Sequence, residues 1–279
     1  MNAAPLNAEL RRRLDDLDRG LRTADSVLVA FSGGTDSAFL LAAAIKALGV
    51  DNVVAGTAIS ASLPALELRE AAEFATGLGV RHVTPRTDEM ARPGYVQNGP
   101  DRCFFCKAEL LDVLTPLADQ LGLAAVATGT NADDAIDPFR PGIRAAAARG
   151  AITPLRDAKL TKLQVREASK TWGLSTHDKP AAACLSSRIA YGIPVTPARL
   201  GRIEQAEGQL RRAFADAGLP VRNLRVRDMG DRARVEIDAA LVPTVTARPD
   251  LLRVVTGFER VELDPRGFRS GALNEPLAG

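Results

Sequence analysis

The chain has 279 residues, 46% of them hydrophobic, enough for one large core or two ordinary ones. A formal charge of +2 and an aromatic content of 4% count against wholesale nucleic-acid binding, so any anion site has to be local. No apolar stretch reaches the roughly 18 residues of a membrane span, and three cysteines without a signal core argue against a disulfide framework; a cytoplasmic protein that binds neither membrane nor nucleic acid is expected.

Residues 7 to 22 place Leu10, Leu14, Leu17 and Leu21 on one stripe, which predicts an amphipathic helix packed on a sheet edge. An apolar run from Ser26 then ends in Ser32-Gly33-Gly34-Thr35-Asp36-Ser37, and a helical pattern follows at once. This reads as strand, phosphate loop and helix: glycines let the backbone approach a ligand, the helix start attracts an anion, and Ser32 and Ser37 add hydroxyl donors. The loop lacks the Walker lysine and carries Asp36 instead. A plain turn between strand and crossover helix is the alternative.

Asn52 to Ile59 and Arg81 to Pro85 read as further strands around a helix from Pro64 to Gly79. Alternation at this spacing predicts an α/β fold with a doubly wound parallel sheet. Ligands of such sheets sit beyond the carboxyl ends of the strands, so Thr57 to Ser60 should line a pocket beside the loop.

Arg102-Cys103-Phe104-Phe105-Cys106-Lys107 opens a helix running to about Leu121. Two thiols three positions apart near a helix start suit a metal or cluster, a redox dithiol, or two buried cysteines. A fourth strand, Ala124 to Thr128, delivers Gly129-Thr130-Asn131-Ala132-Asp133-Asp134. Asp133 and Asp134 either hold magnesium or, with Asn131, shape a turn. Lys162 near the next helix start opposes the dipole, which suits an anion contact or a surface lysine.

Residues 173 to 194 break the periodicity around a single cysteine, and a loop with Cys184, Ser186, Ser187 and Arg188 is a candidate reaction site. Arg188 would lower the thiol pKa or hold an acidic substrate. From Thr196 the chain turns to a charged helix, Pro197 to Ala217, strands at Asn223 to Asp228 and Arg232 to Asp238, a helical stretch from Ala239 to about Val255 and a strand at Arg260 to Leu263. This predicts a larger domain over residues 1–194 and a small α+β domain over 195–279. Arg225 and Arg227 alternate with Val226 and share a face, so they meet either an anion or local carboxylates.

SGGTDS resembles the PP-loop of the ATP pyrophosphatases. Together with RCFFCK, GTNADDAIDPFRPG, KPAAACLSSRIAYG and LDPRGFRSGALNE, it makes the whole chain similar to the LarE family, the sulfur-inserting PP-loop enzymes of nickel-pincer cofactor biosynthesis. The resemblance implies pyridinium-3,5-biscarboxylic acid mononucleotide as substrate, ATP and magnesium for adenylating its carboxylates, and a sulfur nucleophile that displaces AMP. It implies that Ser32, Gly33, Gly34, Asp36 and Ser37 hold the pyrophosphate, with Lys162 in contact with phosphate, and that Arg188, Arg225 and Arg227 meet the substrate. Asp264 falls in the closing motif without an assigned role.

Family members with only the equivalent of Cys184 give up that sulfur, whereas those that also carry the cysteine pair bind a four-iron four-sulfur cluster. With Cys103, Cys106 and Cys184 all present, the resemblance implies a reusable, cluster-dependent sulfurtransferase and a homo-oligomer, a hexamer as in relatives. Two alternatives are a cluster-bearing tRNA thiolase and a nucleotide-binding module with zinc on Cys103, Cys106, Cys184 and His177.

Overall fold

The computed structural model describes residues 7–134, 142–180, 183–269 and 271–273. In chain order the elements are α1 (Ala8–Arg22), β1 (Val27–Ala30), α2 (Thr35–Leu48), β2 (Val53–Gly56), α3 (Ala65–Gly77), β3 (Arg81–Val83), α4 (Pro93–Val96), α5 (Arg102–Gln120) and β4 (Ala125–Thr128). They continue with α6 (Gly142–Ala147), α7 (Pro154–Asp157), α8 (Lys162–Thr171), α9 (Pro197–Asp216), β5 (Leu224–Asp228), β6 (Arg232–Ile237), α10 (Val242–Thr246) and β7 (Arg260–Leu263). The chain forms two compact units, Met1–Arg92 with Asp101–Ala182, and Pro93–Pro100 with Ala183–Gly279. Residues 183 to 194 and 93 to 100 thus cluster with the second unit.

In the first unit β1 is the central strand. All four of its residues are buried, and it pairs in parallel with β2 through Val27↔Val53 and with β4 through Val27↔Ala125. A strand covered on both faces needs apolar residues at every position, which is why VLVA shows no polar alternation. Val27 and Val29 face one apolar cluster with α1 and α2, while Leu28 and Ala30 face another with Leu111 and Leu114 of α5. The sheet order is β3-β2-β1-β4, all parallel, an α/β arrangement that fits a Rossmann-like fold.

Asn7 caps α1, its Oδ1 accepting from Leu10 N at 2.7 Å. The leucine stripe of α1 buries Leu10, Leu17 and Leu21, but against α2 and α7 rather than a sheet edge. The reason lies in α2, whose TDSAFLLAAAIKAL is apolar on nearly every side and needs cover on the face turned away from the sheet.

In the second unit β5 pairs antiparallel with β6, and β6 parallel with β7. Ala206, Leu210 and Phe214 of α9 close the core over Leu224, Val226, Val235 and Ile237. The single helical stretch expected from Ala239 to about Val255 is broken into a 3-10 turn at Ala239–Leu241, α10 and another 3-10 turn at Pro249–Leu251. Pro243 and Pro249 start helical turns easily but cannot continue one. Among the described residues no helix is long and apolar enough to cross a membrane.

Candidate functional site

β1 delivers the Ser32 to Ser37 loop at its carboxyl end, and its neighbour β4 delivers Gly129 to Asp134 at the same end of the sheet. Between β1 and β4 the strand order reverses, the position where open α/β sheets bind ligands. Gly33 has φ +70°, and a Cβ there would come within 3.2 Å of Ala71 Cβ, so conformation and space both demand glycine. Ser32 N donates to Ser37 Oγ at 3.2 Å, and the two hydroxyls lie 3.1 Å apart. Gly34 caps α2 with no side-chain bond to its first turn, which leaves those amides directed at an incoming anion. A Cβ on Gly129 would sit 2.9 Å from Ser37 N, so glycine lets the two loops touch.

Lys162 joins them. Its Nζ lies 2.5 Å from Asp36 Oδ2, and its backbone N–H donates to Asp133 Oδ2 at 2.7 Å. It is the first residue of α8, held by a capping box between Thr161 and Gln164, and Asp36 balances a charge that the helix dipole disfavours there. Asn131 Oδ1 accepts from the amides of Asp133 and Asp134 at 2.9 and 3.1 Å, and Asp134 Oδ2 from Asn131 N at 3.2 Å. The expected turn is therefore real, and it is what aims Asp133 at α8. Asp36 Oδ1 is buried with no hydrogen-bond partner. Such an orphaned carboxylate oxygen beside a phosphate loop suits a hard divalent cation.

Thr57, buried, props the start of the loop. Its hydroxyl donates to Phe31 O at 2.8 Å and meets His82 Nε2 at 2.8 Å. Because the hydroxyl proton goes to Phe31, His82 is the donor through Nε2, and burial lowers its pKa, which keeps the ring neutral.

Cys103 and Cys106 lie one turn apart at the start of α5, Cys103 exposed and Cys106 half-buried. Their spacing places both on one helix face, near the dipole end that favours a thiolate. Lys107 follows, and burial lowers its pKa although the neighbouring Cys106 acts the other way. His177 uses Nδ1 on Leu174 O at 3.0 Å. Among the described residues no group of three or more His, Cys, Asp or Glu side chains is gathered as a metal centre.

Cys184 belongs to the second unit, with the arginines. It starts a 3-10 turn, Leu185–Arg188, and its Sγ lies 3.0 Å from Ser186 Oγ. Arg188 reaches back to the carbonyls of Ala183 and Cys184 and pairs with Glu207 through Nε at 3.0 Å. Arg227 pairs with Glu236 at 2.7 Å and donates to Ser187 O at 3.0 Å. The salt-bridge alternative for Arg227 is thus realised, while Arg225 stacks over Phe268 and donates to Leu224 O at 2.8 Å. Burial and then Arg188 push the pKa of Arg225 down to about 10, with Arg227 and Arg211 adding to the push and Glu207 opposing it. An excess of buried positive charge beside a thiol is a place for an anion.

The sequence reading missed Glu207 and Glu236. Glu207 sits on the apolar face of α9 between Ile203 and Leu210, and Glu236 lies opposite Arg225 in the β5–β6 register. A carboxylate on a core-facing position was the available signal. Of the motifs, residues 135–141, 181–182, 270 and 274–275 lie outside the described residues; Asp264 is buried, accepting from Arg266 N at 2.9 Å in a turn.

No family model matches the chain. It is 41% identical over 96% of its length to an uncharacterized protein of Synechocystis sp., covering 99% of that protein. It is 33% identical over 97% of its length to the pyridinium-3,5-bisthiocarboxylic acid mononucleotide synthase of Lactiplantibacillus plantarum, covering 96% of that enzyme. An uncharacterized protein of Methanocaldococcus jannaschii is 28% identical over 63% of the chain, with 67% of its own length covered.

Proposed function

Because the chain belongs to the LarE family, we propose that it is an ATP-dependent sulfurtransferase acting on pyridinium-3,5-biscarboxylic acid mononucleotide in nickel-pincer cofactor biosynthesis. The observation that carries this is the meeting of Asp36, Lys162 and Asp133 at the glycine loop, with Asp36 Oδ1 left unpartnered. That set suits a triphosphate with magnesium: loop amides and the Ser32 and Ser37 hydroxyls bind phosphate oxygens, Lys162 offsets their charge, and Asp36, with Asp133 and Asp134, would hold the cation.

A substrate carboxylate oxygen attacks the α phosphorus of ATP, the bond to the bridging oxygen breaks, and pyrophosphate leaves. A sulfide then attacks the acyl carbon, the bond to the AMP oxygen breaks, and a thiocarboxylate remains. Lys162 and the loop amides neutralise charge that grows on the leaving pyrophosphate. Arg225, supported by Arg188 and Arg227, binds the substrate's phosphate or carboxylates. Cys103, Cys106 and Cys184 are soft thiol donors that suit an iron–sulfur cluster; when bound by three thiolates, the cluster offers one iron without a protein ligand as the point of sulfur delivery.

The test is anaerobic purification followed by metal analysis, an ultraviolet–visible spectrum and a pyrophosphate assay. A brown protein that releases pyrophosphate only with the pyridinium substrate, and that turns colourless as Cys103→Ala, is expected. A colourless zinc protein releasing no pyrophosphate overturns the reading.

A further inference from the structure

The outer side of the phosphate loop is held by residues with no role so far. Lys179 Nζ lies 3.2 Å from Gly33 O, 2.8 Å from Glu67 Oε2 and 2.7 Å from Glu70 Oε2, so each of its three protons has an acceptor. Burial works against this ammonium, but the hydrogen bonds to the two glutamates outweigh it and raise its pKa. Both carboxylates come from α3, the helix whose Ala71 touches Gly33. The segment carrying Lys179 is itself moored: Thr35 Oγ1 donates to Thr176 O at 2.9 Å, and Arg166 donates to the carbonyls of His177 and Lys179 at 3.2 and 2.9 Å.

A peptide group is planar and trans, so its C=O and N–H point in opposite directions. With the Gly33 carbonyl turned outward to Lys179, the N–H of Gly34 must face the inside of the loop. There it lies 3.4 Å from Ser32 Oγ, a long contact beside the Ser37 hydroxyl. Glycine at 33 and 34 makes the peptide free to flip, since no Cβ resists it.

We infer that Lys179 is a positioning residue of the phosphate loop, fixing the Gly33–Gly34 peptide so that the Gly34 N–H is presented to a nucleotide phosphate. The inference rests on the ATP reading of that loop. Successive inward N–H groups form an anion-binding concavity, and losing one weakens the site without touching the groups that act on the α phosphorus.

The experiment compares Lys179→Met, Lys179→Arg and the double variant Glu67→Gln/Glu70→Gln in the full-length, cluster-loaded protein. Calorimetric binding of magnesium–ATP and the KM and kcat of pyrophosphate release are measured. Lys179→Met is expected to weaken magnesium–ATP binding and raise its KM about tenfold, the size of one charge-assisted hydrogen bond. kcat should stay within about threefold, as for lost uniform binding. Lys179→Arg should recover most of the affinity, and the double glutamine variant should weaken binding in the same direction because the ammonium loses its mooring.

Hydrogen exchange over residues 32–37 without nucleotide should be faster in Lys179→Met and in the double variant, a readout that does not depend on ATP. Unchanged KM and exchange in Lys179→Met, where the wild type binds magnesium–ATP, overturns the proposal alone. Tighter binding by the double glutamine variant also overturns it, since Lys179 would then be a direct phosphate ligand restrained by Glu67 and Glu70. A wild type that binds no magnesium–ATP overturns the nucleotide reading and the proposal with it.

Discussion

The ammonium of Lys162 lies 2.5 Å from Asp36 Oδ2, which ties the start of α8 to the start of α2 across 126 residues of sequence. The pair is partly exposed, with side-chain accessibilities of 38% and 21%, so its contribution to folding stability is under about 1 kcal/mol. Its role in charge stabilisation is larger. Asp36→Asn and Lys162→Met are each expected to slow pyrophosphate release by about a hundredfold or more while moving the melting temperature little. The double variant should lose less than the sum of both, because the two residues act as one unit. A pyrophosphate assay with thermal denaturation checks both parts.

Gly129→Ala forces a Cβ to within 2.9 Å of Ser37 N and 3.1 Å of Asp36 C, backbone atoms that cannot swing away. The expected cost is about 1–3 kcal/mol of stability, the range of an overpacked site. Magnesium–ATP binding should weaken as well. Urea unfolding and calorimetry on the same preparation measure the two effects.

Arg225 gives a pH-dependent prediction. Burial and Arg188 bring its pKa from 12.5 to about 10 in the folded state. The charged form therefore costs stability in full below about pH 10, and that cost fades as pH rises from about 10 towards 12.5, where the folded protein has released a proton that the unfolded chain still holds. An anion offsets the cost only while the group is charged. Inorganic phosphate should raise the melting temperature at pH 8, with an increment that shrinks as pH climbs through about 10. Arg225→Met should be as stable as the wild type or more so at pH 8, and should lose the phosphate increment.

His82 works on the acid side. Its pKa is lowered from 6.5 by burial, so the unfolded chain binds a proton more readily than the folded one. The stability contributed by the neutral ring is complete above pH 6.5 and is lost as pH falls below it. His82→Gln keeps a donor for Thr57 and should flatten the stability profile between about pH 6.5 and the lowered pKa. Denaturant titrations across that range give the comparison, and an unchanged slope refutes it.

Much of the first unit was legible in the residue order. Apolar strands, glycine loops and helix caps are written in neighbouring residues, so VLVA followed by SGGTDS was enough to place a phosphate loop before α2. Two fold expectations failed where distant contacts decided: α1 covers α2 because α2 is apolar all round, and two prolines divide the stretch after Ala239.

Site chemistry followed the same division. Residue types on their own identified Asp36, Lys162, Asp133, Cys184 and the arginines as candidates, because glycine turns, thiols and unbalanced charges are visible locally. Only the tertiary structure decided which charges meet: Lys162 with Asp36, Arg188 with Glu207, Arg227 with Glu236, and Lys179 with Glu67, Glu70 and the Gly33 carbonyl. A charged side chain reads the same in sequence whether its partner is water or a buried carboxylate, and the choice is made by packing that brings together residues far apart in the chain.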